Sequence, residues 1–249
     1  MKKIMIIVSI FLTAAAAFAE TRRPAATEFA SDQQTVPVVA NVTGVGGAPF
    51  ISYLAIYNPT SSAYSVTASL FDGNGTRRDA QINLAAGELK TFTNFVDAVF
   101  HATGGGAVVF SAPQTAGGTH NNRFIINTEV RSGRYSTVVP VLEFPGSNTR
   151  SFAAGVTVDS NSRTNIGCFN QSSLANKVKV TVLDASGKQT IGTQELNLAP
   201  NGWSQTSVNS IVSNGTLQFD PAEEAVCYAV VVDNSTNDGR LISSVEYRP

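Results

Sequence analysis

Short apolar runs and stretches of alternating apolar and polar residues follow one another along the chain, each ended by a cluster of Gly, Asn, Asp or Ser. Alternation with a period of two is typical of half-buried β-strands, and such clusters are typical of the turns between them. Long stretches with the 3.6-residue period of an amphipathic helix do not occur. The pattern therefore predicts an all-β protein.

The strand pattern occurs twice. Five segments of the first half match five segments of the second half in the same order: 54–58 with 166–170, 64–72 with 176–184, 72–75 with 184–187, 82–87 with 196–201, and 105–110 with 214–219. The first two pairs share an offset of 112 residues, and the spacing of the others is nearly the same. One match would mean little, but five in one order predict an internal duplication.

The duplication divides the chain into two predicted domains, residues 35–142 and residues 149–249, joined by a linker at residues 143–148. About seven short strands in roughly 100 residues is the size and rhythm of an immunoglobulin-like β-sandwich. We therefore expect two tandem immunoglobulin-like β-sandwich domains. Residues 20–34 contain Pro, several Ala and scattered charges, and we expect them to form a disordered tether.

One helical turn is expected in each copy, where it would close one end of the sandwich. Residues 93–100 begin with polar residues that can cap a helix and continue with apolar residues at helical spacing. Residues 207–212 are the weaker counterpart in the second copy.

The repeat resembles an immunoglobulin-like β-sandwich repeat of exported bacterial proteins, many of which are known only as hypothetical proteins. Four segments carry the resemblance: L-A-I-Y-N-P at 54–59, V-T-A-S-L at 66–70, L-A-A-G at 84–87 and G-G-A-V-V-F at 105–110. The second copy departs from the pattern, with Gln171 in place of Pro59 and Asn201 in place of Gly87. The resemblance covers nearly all of the chain after residue 19 and implies a fold and an exported location, but no catalytic residues.

The N-terminus has the pattern of a cleavable secretory signal peptide. Lys2 and Lys3 precede the apolar segment 4–12, and Ala-Phe-Ala at 17–19 is a typical cleavage site. The apolar segment is shorter than the roughly 20 residues that a membrane-spanning helix needs. We predict that residues 1–19 are removed, and that the mature protein is periplasmic or extracellular and has no membrane span.

Composition and charge exclude one class of partner. Removal of residues 1–19 leaves 230 residues and changes the net charge from −1 to −3. Binding to nucleic acid needs concentrated Lys and Arg, which this weakly acidic chain lacks, so we expect no nucleic-acid partner.

Cys168 and Cys227 are the two cysteines of the chain. In an oxidising compartment such a pair is expected to form a structural disulfide, here between an early and a late strand of the second domain that could face each other across the core. The alternative, a redox or metal pair, is disfavoured because their spacing is not C-x-x-C and both histidines lie in the other half.

No set of catalytic residues emerges from the sequence. His101 and His120 both lie in Gly-rich segments, and no G-x-S-x-G sequence is present. Asp97 and His101 are only two possible metal ligands, so we predict neither a metal site nor a cofactor. Clustered oxygen ligands at 72–75 and 233–238 leave calcium open, although Asp, Asn and Gly are also the residues that tight turns require.

Three aromatic residues are candidates for contact with a glycan. Tyr53 and Tyr57 alternate with Leu54 and Ile56, so the two rings are expected to face away from the core, and Trp203 follows a predicted turn. Exposed rings among Asn and Thr can stack on a sugar. Alternatively, the rings cover the second face of a strand or fill the domain interface.

Three functions remain as hypotheses. The leading one is an exported non-enzymatic module with a structural, adhesive or protein-binding role in the bacterial envelope or outside the cell, whose edge strands could accept a partner strand. The first alternative is a carbohydrate-binding protein that uses Tyr53, Tyr57 and Trp203. The second is a hydrolase or metalloenzyme that uses His101 or His120.

Overall fold

A computed structural model describes residues 31–44, 47–113, 122–143 and 146–247. We refer to residues 31–143 as the first half and to residues 146–247 as the second half. Several predictions fall outside the described residues: the signal peptide at 1–19, the tether up to residue 30, His120, and linker residues 144–145.

The described part of the chain consists mainly of β-strands, so the all-β prediction is confirmed. The first half contains β1 (Gln33–Thr43), β2 (Pro49–Tyr57), β3 (Tyr64–Phe71), β4 (Arg77–Leu84), β5 (Leu89–Phe92), the helix α1 (Phe95–Phe100), β6 (Gly104–Ser111), β7 (Ile125–Ser132) and β8 (Tyr135–Val139). The second half contains β9 (Ser151–Val158), β10 (Ser162–Asn170), β11 (Asn176–Leu183), β12 (Thr190–Leu198), β13 (Trp203–Ser207), β14 (Val212–Pro221), β15 (Ala225–Asp233), β16 (Gly239–Ser243) and β17 (Val245–Glu246).

The strands of the first half form one folded antiparallel sheet. Its order is β4-β3-β6-β1-β2-β7-β8, with β5 paired to β2. The sheet bends at β1, where the pairing partner changes: residues 33–41 pair with β6, whereas residues 41–43 pair with β2. The register along β1 shifts between Val36 and Val39, beside Pro37, which lacks the backbone N–H that regular pairing needs.

The strands of the second half form two separate antiparallel sheets, β12-β11-β14-β9-β17 and β13-β10-β15-β16. When the strands of each half are numbered from its first strand, both halves contain the neighbour orders 4-3-6-1 and 5-2-7-8. Each half encloses its own apolar core between its two layers. The architecture is therefore β-sandwich-like in both halves.

The strand order agrees in part with that of an immunoglobulin constant domain, whose two sheets have the orders A-B-E-D and C-F-G. In the second half, β9-β14-β11 are neighbours in one sheet and β10-β15-β16 are neighbours in the other. These orders equal B-E-D and C-F-G when β9 is matched to strand B. β12 and β13 have no counterpart in that order.

The predicted helical turn in the first half is present as α1. The Asn94 side chain accepts a hydrogen bond from the Asp97 amide, which caps the N-terminus, and His101 ends the helix in a left-handed conformation. Phe95 is fully buried, and its ring centroid lies 5.7 Å from that of Phe110. The helix therefore closes one end of the first core, as the sequence predicted.

The prediction of a helical turn at 207–212 is wrong. Residues 208–211 alone connect β13 to β14, whereas residues 93–103 connect β5 to β6. This shorter connection leaves too few residues for a helical turn and the return of the chain. Val208 is buried in the second core instead, and its amide donates to the Thr164 carbonyl at 2.8 Å.

The predicted boundary of the tether is also corrected. β1 begins at Gln33, inside the segment 20–34 that the sequence assigned to the tether. Gln34 is fully buried, and its side-chain amide donates to the Phe124 carbonyl at 2.8 Å. A polar residue at the start of an apolar run resembles a loop residue in sequence, and only this contact across the sandwich accounts for its burial.

A buried asparagine ends β2 and β10 in the same way. The Asn58 side chain donates to the Ser62 and Ala85 carbonyls, both at 2.8 Å. The Asn170 side chain donates to the Leu174 carbonyl at 2.8 Å and to the Ala199 carbonyl at 2.7 Å. Both asparagines are fully buried, and each satisfies backbone carbonyls of the loops that follow it.

Candidate functional site

Cys168 and Cys227 form a disulfide, as predicted, with their Cα atoms 4.1 Å apart. The predicted position across the core is wrong, because the two residues lie directly opposite each other on neighbouring strands β10 and β15 of one sheet. Both side chains are buried in the second core. The disulfide therefore links two adjacent strands rather than the two layers.

The sheet that carries the disulfide is covered on both faces. Alternate residues of β15, such as Cys227 and Ala229, belong to the second core. Tyr228 points the other way, is fully buried and belongs to the core of the first half. Val230 and Leu241 also pack against the first core. The two halves are thus joined through this sheet face.

Trp203 lies in the contact between the two halves. Its indole Nε1 donates to the Tyr228 hydroxyl at 3.1 Å, and its backbone amide donates to the Asp72 carbonyl at 3.0 Å. A Cβ atom added to Gly105 would lie 2.9 Å from the indole ring, so only glycine fits beneath it. The sequence left three roles open for Trp203: contact with a glycan, cover of the second face of a strand, or filling of the domain interface. The observed position agrees with the last of these.

The Tyr228 hydroxyl completes this contact by donating to the Gln205 side chain at 2.9 Å. Burial raises the pKa of Tyr228 well above its usual range, so the phenol stays protonated and remains a donor. The ring also fills the space above Gly167, where an added Cβ atom would lie 2.2 Å from the Tyr228 side chain. Gly167 is therefore required by the close approach of the tyrosine ring.

Tyr53 and Tyr57 lie on a different surface from Trp203. They share the outer face of β2, where Tyr57 pairs with Ile125 and Leu89, and Tyr53 pairs with Glu129, which in turn pairs with Val138. Opposed residues of a sheet point to the same side. We therefore define the Tyr53 face by five apolar or aromatic residues: Tyr53, Tyr57, Leu89, Ile125 and Val138.

No described segment of the chain covers the Tyr53 face. Val138 is 71% exposed and Leu89 is 60% exposed, and Tyr57 and Ile125 are also exposed. The Arg131 guanidinium lies over the Tyr53 ring, 4.1 Å from its centroid, and is 2.5 Å from the Glu129 carboxylate. The face therefore combines exposed apolar side chains with a stacked ion pair.

The Tyr53 face and the buried face around Tyr228 occupy equivalent positions in their sheets. Leu89 pairs with Tyr57 as Trp203 pairs with Phe169, and Tyr57 and Phe169 are matched at the 112-residue offset. In the same way, Val138 corresponds to Leu241. The position of Tyr228 is taken by Asn127, so the first-half face is more polar at its centre.

His101 has a structural position at the end of α1. It is exposed and has a φ of 50°, and its backbone amide donates to the Asp97 carbonyl at 2.9 Å. Within the described ranges, no group of three or more His, Cys, Asp or Glu side chains is arranged to hold a metal ion.

The two acidic turn segments use their carboxylates to hold the turns. Asp72 Oδ1 accepts from the amides of Asn74 and Thr76, both at 2.9 Å. Hydrogen bonds from the Ser235 side chain, and then from neighbouring amides, lower the pKa of Asp233 to about 2. These contacts match the turn interpretation of both segments.

The chain matches no protein-family model and no curated protein. Among its described residues, no helix has the length and apolar character needed to cross a membrane.

Sequence reasoning missed Tyr228 as part of the contact between the halves. The indication was the run of seven apolar residues at 226–232, which includes Tyr228. A strand with one solvated face alternates, whereas a continuous apolar run is typical of a strand buried on both faces. The run would therefore have indicated a second covered face, but not what covers it.

Proposed function

We propose that the chain is an exported, non-enzymatic structural module of the bacterial envelope or the extracellular space. It consists of two tandem immunoglobulin-like β-sandwich domains of the repeat type that the sequence resembles, and it associates with further β-sandwiches through the Tyr53 face. The partner to which the proposal commits is a second copy of the chain.

Equivalent local structures support the duplication. The two halves share their strand-neighbour orders, and Asn58 and Asn170 bind the loops that follow them in the same way. Gly87 and Asn201, which differ in sequence, both have positive φ angles, 67° and 54°. Asparagine tolerates this conformation better than most residues with a side chain, so the substitution preserves the turn.

Two features support export. The predicted signal peptide directs the chain out of the cytoplasm. The Cys168–Cys227 disulfide persists in an oxidising compartment, whereas cytoplasmic proteins usually keep their cysteines reduced.

The main support for association is that the Tyr53 face and the face around Tyr228 occupy equivalent positions in their sheets. The face of the second half around Tyr228 is buried against the first half, whereas no described segment of the chain covers the equivalent Tyr53 face. Leu89 and Val138 are apolar at the positions of Trp203 and Leu241. Exposed apolar surface of this kind marks interaction sites.

The expected contact is head to tail. In the contact within one chain, the second half uses the face around Tyr228, whereas the first half uses a surface other than its Tyr53 face. Repetition of this contact between copies therefore joins the Tyr53 face of one copy to the second half of the next. Such heterologous contacts produce rings or open chains rather than closed symmetric dimers.

We expect the purified mature protein to self-associate with increasing concentration, and a Leu89→Lys, Val138→Lys variant to weaken this association by about tenfold or more, since it would bury charges in the contact. Sedimentation velocity over a range of concentrations measures both.

Leu174→Lys is the matched control. Leu174 is 60% exposed and lies on the β10–β11 connection, outside the Tyr53 face and outside the second-half counterpart of the surface that receives Trp203. Its replacement should leave association unchanged. A monodisperse monomer at every concentration, or equal loss in the control, would contradict the proposal.

Carbohydrate binding is the second candidate, and the stacked pair of Tyr53 and Arg131 favours it. An aromatic ring beside guanidinium, carboxylate and Asn127 amide groups offers both a stacking surface and hydrogen-bonding groups for a sugar. Trp203 is left out of this site because it packs between the halves.

A glycan array distinguishes the two candidates. Carbohydrate binding predicts a signal from the wild-type protein that Tyr53→Ala or Tyr57→Ala removes while far-UV circular dichroism stays unchanged. No binding to any polysaccharide on the array would reject this candidate.

A further inference from the structure

The two halves enclose a cavity of about 340 Å³. Most of its lining is apolar and comes from both sides of the contact, including Val38, Val42, Phe50, Trp203, Val230 and Leu241. Gln205 and Ser207 also line it and are exposed, so the cavity reaches solvent on their side. A partly enclosed apolar space at a domain interface is a common site for small ligands.

A cation lines this cavity. Among the described residues of the lining, Arg163 is the only ionisable one, and it is half-buried. Its guanidinium donates to Asn234 Oδ1 at 3.0 Å and to Asn237 Oδ1 at 2.8 Å, which are neutral acceptors. Among the described residues, Arg163 forms no ion pair.

The neutral partners hold Arg163 in place without neutralising it. A guanidinium has five N–H donors, so two hydrogen bonds leave others available for a planar anion such as a carboxylate. A charge beside an apolar space is costly unless it is paired. The cavity therefore offers an apolar compartment for a hydrocarbon and one positive charge for an anionic head group.

We propose that this cavity binds a small amphiphile with an apolar body and a carboxylate head group, of the size of a medium-chain fatty acid. The carboxylate pairs with Arg163, and the hydrocarbon lies among the valines and against Trp203. This site is separate from the Tyr53 face, so it does not depend on the proposed association.

Trp203 provides the measurement, because it is the only tryptophan of the chain and lines the cavity. Decanoate, titrated below its micelle concentration, is expected to change the tryptophan emission in a saturable manner with one site per chain. Decanol, which has the same chain length but no charge, should bind about tenfold more weakly, because the charge-assisted hydrogen bond is lost.

Arg163→Gln should reduce the affinity for decanoate about tenfold and leave the affinity for decanol unchanged, since only the charged contact is removed. Arg134→Gln is the matched control, because Arg134 is exposed, stacks on Tyr135 and does not line the cavity. It should bind both probes as the wild type does.

The comparison of decanoate with decanol on the wild-type protein tests the proposal even if Arg163→Gln does not fold. No saturable change with decanoate would overturn the proposal. Equal affinities for the two probes would also overturn it, as would a folded Arg163→Gln variant that binds decanoate like the wild type.

Discussion

Tyr228→Ala is expected to lower the free energy of unfolding by about 3–5 kcal/mol, the range for large-to-small replacement of a buried aromatic residue. Tyr228 is fully buried between the two halves. Its removal leaves a cavity in the first core and removes the hydroxyl that accepts from Trp203 and donates to Gln205.

Unfolding in urea, followed by Trp203 fluorescence and by far-UV circular dichroism, measures this effect. The emission of native Trp203 should also change, because its indole N–H loses its partner. Tyr228→Phe separates the two contributions: it retains the ring and should cost only about 1–3 kcal/mol for the indole donor left without a partner.

Tyr57→Ala is the control for loss of a tyrosine from a sheet face. Tyr57 is exposed on the equivalent face of the first half, so its removal should change the free energy of unfolding by about 0.5 kcal/mol or less. Equal effects of Tyr57→Ala and Tyr228→Ala would mean that the contact between the halves contributes little to stability.

The fold class could be predicted from the sequence because β-strands and their turns have a local sequence pattern. Alternation at 64–71 and the turn residues at 72–75 depend only on which face each residue presents, and β3 and its following turn lie where this pattern put them. Local signals also predicted α1, where a capping residue and apolar spacing agree. They did not exclude a helix at 207–212, because the length of that connection depends on where β13 and β14 lie.

The candidate sites were harder to predict because they depend on contacts between distant segments. The pairing of Cys168 with Cys227 followed from their being the only cysteines, but their neighbouring positions in one sheet follow from the β10–β15 pairing. Tyr53, Tyr57 and Trp203 are alike as exposed-aromatic candidates in sequence. Only the packing of the two halves separates them, by covering Trp203 and leaving the Tyr53 face open.

The Cys168→Ala, Cys227→Ala variant is expected to lose about 4 kcal/mol of stability, because the disulfide closes a loop of about 60 residues and restricts the unfolded chain. The loss should be concentrated in the second half, since both cysteines lie in its core. Hydrogen exchange should therefore accelerate most in residues 149–247, which contain the loop between the cysteines.

The position of the disulfide adds a smaller effect on the first half. Cys227 and Tyr228 are neighbours on β15 that point to opposite faces, one into each core. Loosening of β15 should therefore also raise exchange in β1, which contacts this strand, but by less than in the second half.

Reductant provides the control for the disulfide variant. Dithiothreitol should lower the urea midpoint of the wild-type protein, and it should leave that of the double variant unchanged because no disulfide remains. Urea exposes the buried sulfurs during the transition, so reduction is not limited by access. Equal stability of the wild-type protein with and without reductant would show that the disulfide does not stabilise the second half, and that an oxidising compartment is not a condition for its folding.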